Sequence, residues 1–144
     1  MAQIVLVVED IPEEQRRAKD ALTRHGFRAA VAGTLQDALR IWKGLGNKLD
    51  GIITDLHFPE RSEGAADRLD SSKPCGIAIV AEATRRGIPV VVCSNINHHF
   101  AEYLKIVIDV LSLQHPLKRI PFIMDAKDWD RAAQEIKTLT SEGR

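Results

Sequence analysis

Three carboxylates stand where apolar runs give way to loops. Glu9-Asp10 ends the run Ile4-Val5-Leu6-Val7-Val8, and Asp55 ends Gly51-Ile52-Ile53-Thr54, with Leu56-His57-Phe58-Pro59 behind it. If the two runs are neighbouring strands of one parallel sheet, the three acids meet at its carboxyl edge, where open α/β sheets place their ligands. Three oxygen ligands brought together from distant parts of a chain suit a small hard cation. Ser94, Asn95 and Asp125 follow later apolar runs and fall at the same edge. A transition-metal site built from His57, His98, His99 and Cys93 is the weaker alternative, since adjacent histidines at a helix start are more often solvated. The chain has no Gly-rich phosphate loop, which argues against a dinucleotide-binding or P-loop fold. Nor does Glu9-Asp10-Ile11-Pro12 offer the paired acids, two residues apart, of an aspartyl-type phosphatase.

The elements that must position these acids alternate. Ile4–Val8 is apolar on both faces, the pattern of a strand covered by helices on both sides. Pro12 suits the first turn of a helix whose Glu13 and Glu14 favour its positive end, and Gly26 stops it after about His25. Phe27–Ala32 is a weaker strand. Thr34 is an N-cap, with Asp37 three residues on, for a helix carrying Leu35, Ala38, Leu39, Ile41, Trp42 and Leu45, with Trp42 as a core anchor. Leu49–Leu56 is the central strand. Residues Glu60–Pro74 form a polar loop about twice the usual length. A helix over Gly76–Arg86 turns Ile77, Val80, Ala81 and Ala83 or Thr84 inward, and Ile88–Asn95 is the fourth strand. His98 to about Leu113 is a helix apolar round most of its circumference, so it is either covered by its own chain or offers a partner or dimer surface. Ile120–Met124 is a fifth strand. Lys127 to about Leu139 is a closing helix with Trp129, Ala132, Ala133, Ile136 and Leu139 inside, and Thr140–Arg144 frays.

Five strands alternating with five helices predict a single doubly wound, mostly parallel α/β domain over 1–144, with helices on both faces. A length of 144 residues fits one domain better than two. Lys+Arg and Asp+Glu balance at 20 each, so there is no electrostatic case for direct binding to nucleic acid or to a membrane surface. Cys75 and Cys93, without metal-type spacing, read as free thiols of a cytoplasmic protein. The N-terminal apolar run is too short for a signal peptide or membrane span.

Several segments together resemble the receiver domain of two-component response regulators. They are Val7-Val8-Glu9-Asp10-Ile11-Pro12, Asp50 through Pro59, Gly76-Ile77 and Pro89-Val90-Val91-Val92-Cys93-Ser94. The match runs in the right order over nearly the whole chain, with no output domain attached. The resemblance implies a flavodoxin-like sheet and a phosphorelay role. Asp55 would accept a phosphoryl group from a histidine kinase or phosphotransfer protein, and Mg²⁺ would be held by Glu9, Asp10 and Asp55. Ser94 would contact a phosphoryl oxygen, and a downstream protein partner would read the result. Autodephosphorylation would be the domain's only catalysis.

The chain departs from the family's pattern at the fifth strand. Receivers carry a lysine there followed by proline, and aligning Phe122-Ile123-Met124 puts Asp125 and Ala126 at those positions. Lys127 lies two residues later and would serve as a displaced phosphate lysine if it swings back; otherwise Asp125 adds a further negative charge that opposes a phosphoryl group. Loop 60–74 and helix 98–113 are both longer than the family's norm, and the enlarged helix fits a homodimer or partner surface. The rival expectation is a receiver-like scaffold that no longer switches and works as a constitutive protein-binding or dimerisation module. A position of Lys127 near Asp55 separates the two.

Overall fold

The computed structural model describes residues 2–61, 74–95, 98–124 and 127–142, leaving aside the side chains of 98–101 and 103. Strands β1 (Ile4–Val8), β2 (Arg28–Ala32), β3 (Leu49–Thr54), β4 (Val90–Cys93) and β5 (Phe122–Ile123) form one parallel sheet in the order β2-β1-β3-β4-β5. The helices are α1 (Pro12–Arg24), α2 (Leu35–Leu45), α3 (Gly76–Arg86), α4 (His98–Gln114) and α5 (Trp129–Glu142). This is the doubly wound α/β sheet expected from the alternation of apolar runs.

Alternation along the strands sorts side chains onto two faces. Val5, Val7, Ile53, Val91, Cys93 and Ile123 pack under α1 and α5. Leu6, Val8, Ile52, Val90 and Val92 pack under α2, α3 and α4. Gly51 belongs to the first face, where a Cβ would stand 2.9 Å from Ile136 Cγ1, so α5 lies closer to β3 than a side chain would permit. The thin stripe of α1, Ala18, Ala21 and Leu22, is buried in the core on the same face. Trp42 is buried against the opposite face, as its helical spacing suggested.

The chain ends of the elements differ from the reading of the sequence in physically clear ways. β3 ends at Thr54, and β4 and β5 begin only after Pro89 and Pro121, which have no N–H to donate, so all three are shorter than their apolar runs. The inner stripe of α3 is Ile79, Val80, Ala83 and Thr84; Ala81 is exposed, because the short alanine fits either side of the helix. The closing helix does not fray at Thr140. It continues to Glu142, with Leu139 and Thr140 buried and the Thr140 hydroxyl donating to the Lys137 carbonyl at 3.0 Å. His115, expected only as part of a turn, is fully buried: its Nδ1 accepts from the Leu117 N–H at 3.1 Å and its Nε2 lies 2.7 Å from the Ile88 carbonyl. Helix α4 buries Leu104 and Ile108 but leaves Ile106, Val110 and Leu113 exposed, so its own chain covers one side only.

Candidate functional site

The sheet order brings the acids together. β1 and β3 are hydrogen-bonded neighbours with Val8 opposite Thr54, and the Asp55 N–H continues the ladder by donating to the Val8 carbonyl at 2.9 Å. The chain leaves β1 toward β2 on one side and reaches β3 on the other, so the crevice between β1 and β3 is the topological switch point of the sheet. Glu9, Asp10 and Asp55 each place one carboxylate oxygen there, all within 4.8 Å of one another. Among the described residues this is the only cluster of potential metal ligands. The alternative set expected around His57 and Cys93 includes His98 and His99, whose side chains lie outside the described residues.

Local bonds hold Glu9 and Asp55 in place. The Glu9 backbone N–H donates to Ala32 O at 2.9 Å, its carboxylate accepts from the Ile11 N–H at 3.1 Å, and its carbonyl accepts from Gln15 Nε2 at 2.6 Å. One oxygen of Asp55 accepts from the Leu56 N–H at 2.7 Å, which fixes the carboxylate's rotation. On its far side the segment after β3 is gripped by two helices. The Leu35 and Gln36 N–H groups donate to Pro59 O and Glu60 O at 3.0 and 2.9 Å, while the Gly76 N–H donates to Leu56 O at 2.9 Å. The first amides of α2 therefore find carbonyl partners in this loop, and Thr34 Oγ1 caps the Asp37 N–H at 3.0 Å. Gly76 is pressed so closely on the loop that a Cβ there would lie 2.1 Å from the Asp55 carbonyl oxygen. Phe58 and Pro74 pair in an isolated bridge, which brings the two ends of the long polar loop together; residues 62–73 of that loop lie outside the described residues.

Lys127 completes the cluster. Its ammonium is 2.9 and 3.0 Å from the two carboxylate oxygens of Glu9 and 3.2 Å from Asp55 Oδ2. Its backbone takes the left-handed conformation, φ 47°, and its side chain reaches both acids at the sheet edge. Two residues on, the buried Trp129 indole N–H donates to Glu14 Oε2 at 2.8 Å, tying the start of α5 to the first turn of α1. Asp125 and Ala126, which strict alignment puts at the lysine and proline positions, lie outside the described residues. The sequence pointed to Lys127 only as a displaced candidate; it did not point to Gln15 or to the Trp129–Glu14 link, whose one signal was an aromatic residue close behind the lysine.

The electrostatics follow from crowding acids in a dry place. Burial, with the nearby Asp55 carboxylate, pushes Glu9 up to about 7 even though Lys127 pulls the other way. Burial raises Asp10 too: its backbone bond opposes this and Asp55 adds to it. Burial works against the Lys127 ammonium, but Asp55 and Glu9 together outweigh it and hold the lysine above its ordinary value. Ser94 lies at the end of β4, beside β3; it is buried and its N–H donates to Ile123 O at 2.8 Å. Both cysteines are buried and outside any disulfide, and burial raises the Cys93 thiol well above its usual range, which keeps it unreactive.

No protein-family model and no curated protein matches the chain. Solved structures do match it, over nearly its whole length. A response regulator receiver domain protein from Clostridium thermocellum superposes with a TM-score of 0.70 at 16% identity, covering 99% of this chain and 97% of that one. The receiver domain of the Francisella response regulator 1452 gives 0.68 at 17%, with 99% of both chains covered. A CheY-like receiver domain protein from Methanospirillum hungatei JF-1 gives 0.68 at 17%, covering 99% and 96%. The fold is that of response regulator receiver domains. Among the described residues, no helix is long and apolar enough to cross a membrane.

Proposed function

We propose that this chain is a phosphoacceptor signalling domain in which Asp55 receives a phosphoryl group from the phosphohistidine of a histidine kinase or phosphotransfer protein. An Asp55 oxygen attacks phosphorus, the phosphorus–nitrogen bond breaks, and the imidazole leaves as a neutral base after taking up a proton. The product is an acyl phosphate on Asp55, and attack by water later breaks the new bond and releases inorganic phosphate. The observation that carries this reading is the Lys127 ammonium 3.2 Å from Asp55 Oδ2. A fixed cation there can meet the charge on the transferring phosphoryl oxygens without reorganising.

The donor set fits Mg²⁺: three carboxylates, hard oxygens only, converging within 4.8 Å, with two of them resisting ionisation when they have no divalent cation. Glu9, Asp10 and Asp55 would hold the ion, which when bound neutralises phosphoryl charge beside the nucleophile. Ser94 supplies a hydroxyl for a phosphoryl oxygen at the end of the adjacent strand. The position of Lys127 favours this reading over a scaffold that cannot switch. The outer face of α4, with Ile106, Val110 and Leu113 exposed, is the surface offered to a downstream protein or to a second copy.

The test is incubation of the purified chain with Mg²⁺ and acetyl phosphate or phosphoramidate, followed by intact mass. One phosphoryl adduct is expected, absent in Asp55→Asn and in chelator. A chain that stays unmodified under conditions that label a typical receiver domain refutes the proposal.

A further inference from the structure

Helices α2 and α3 leave between them a groove of about 410 Å³, lined by Leu39, Trp42, Lys43, Glu82 and Arg86. Its floor is apolar: Leu39 is 43% exposed although it sits one turn from the buried Trp42. The Arg86 guanidinium stands 5.5 Å from the centre of the Trp42 ring and forms one wall. The rim is cationic. Lys43, Glu82 and Arg86 line it, and over α2 and α3 together Arg40, Lys43, Arg85 and Arg86 are exposed against two acids, Asp37 and Glu82. Asp37 is taken by Arg40, and Glu82 is shared by both arginines of α3 at 2.6 Å. Among the described residues Lys43 makes no ion pair, so two positive charges, Lys43 and one of the Arg85–Arg86 pair, have no carboxylate of their own.

The geometry points to a docking site for an acidic amphipathic peptide segment of a partner protein. A large apolar side chain would seat on Leu39 beside Trp42, and carboxylates one helical turn away would meet Lys43 and the Arg85–Arg86 pair. Charge complementarity decides the occupant: a basic or purely apolar segment would leave Lys43 unpaired and dried at the rim, which costs more than the apolar contact contributes.

Both walls of the groove start on one short stretch of chain. The first amides of α2 are bonded to Pro59 O and Glu60 O, and the first amide of α3 to Leu56 O. A displacement of the Leu56–Glu60 stretch moves the two walls together, so the groove also reads what happens at Asp55. That second step rests on the phosphoacceptor reading; docking itself does not.

A random peptide library panned on the full-length chain, with Leu39→Glu/Lys43→Glu as the counter-selected protein, tests docking. Both positions are exposed, so unchanged circular dichroism and thermal midpoint are expected. The expected result is enrichment of peptides combining a large apolar residue with acids within a turn, binding the double variant at least about tenfold more weakly. Enrichment of basic peptides, equal binding to both proteins, no enrichment, or a self-association that the double variant abolishes each overturns it. The same peptides are then measured with and without a phosphodonor, using protein whose adduct is verified by mass. Unchanged affinity on verified adduct overturns the coupling and leaves docking standing; failure to form adduct counts against the phosphoacceptor reading alone.

Discussion

Replacing Lys127 by Met removes the positive charge while keeping most of the side chain's length and volume. In the structure that ammonium lies about 3 Å from carboxylate oxygens of both Glu9 and Asp55. At an effective dielectric near 20, each such contact is worth on the order of 5 kcal/mol before the cost of drying the ions. Breaking a buried pair from one side typically costs about 3–5 kcal/mol net. The carboxylates can limit that loss by binding protons, and Glu9 already titrates at about 7. The sign follows. An acid whose folded pKa lies above its unfolded value loses stability as pH rises between the two. Removing the lysine raises Glu9 further, so Lys127→Met should be destabilised by about 3 kcal/mol at pH 8 and by about 1–2 kcal/mol less at pH 5.5. The same vacancy should favour Mg²⁺, because the ion no longer shares the acids with a fixed ammonium. Its affinity should rise about tenfold or more, on the scale of 1.4 kcal/mol per decade. Urea titrations at the two pH values and calorimetric Mg²⁺ binding check this. Unchanged stability together with unchanged or weaker Mg²⁺ binding would refute the assignment of Lys127 as the counter-ion of the acidic cluster. Labelling at Asp55 should meanwhile slow, since the phosphoryl oxygens lose their cation.

Two further outcomes follow from the same site. Mg²⁺ must displace the proton that Glu9 holds below about 7, so Mg²⁺ affinity should climb from pH 6 to pH 8 with net proton release, measurable by calorimetry in buffers of different ionisation enthalpy; a flat profile contradicts the raised carboxyl. Gly76→Ala forces a methyl group to within 2.1 Å of the Asp55 carbonyl oxygen, and the neighbour is backbone that cannot rotate away. A loss of about 3 kcal/mol in urea unfolding is expected, with slower labelling of Asp55.

Much of the fold was legible because it rests on local pattern. Ile4–Val8 is apolar on both faces, which only a doubly covered strand tolerates. The Thr34 cap and the stops at Gly26 and Gly87 could be read from single residues, because each satisfies or ends a helix by its own chemistry. Failures came where a residue's environment is set by distant chain. Ala81 carries too little apolar surface to declare its face. Thr140 is held inside by the packing of α5 rather than by propensity. The outer side of α4 could not be assigned from its sequence, since Ile106, Val110 and Leu113 are as apolar as the buried Leu104 and Ile108, and only the position of the sheet separates them.

The acids of the site could be read for the same reason as the strands that end in them, but the lysine only as a displaced candidate. Alignment counts positions along an extended strand, and by that count Lys127 arrives two residues late, with an acid in its place. The count holds only while the backbone keeps one direction. β5 ends at Ile123 and Lys127 takes φ 47°, so the lysine does not stand on an extended strand. A lysine side chain spans about four carbons and carries its charge that far from the backbone. The left-handed conformation costs a non-glycine residue about 1 kcal/mol, and something must hold it. Two anchors do: the ammonium on Glu9 and Asp55 at one end, and the Trp129 indole on Glu14 at the other. Both run to β1 and the start of α1, the stretch that carries Glu9 and Asp10. The acidic loop and Lys127 therefore brace each other, and the charge that strict register would have misplaced reaches Asp55.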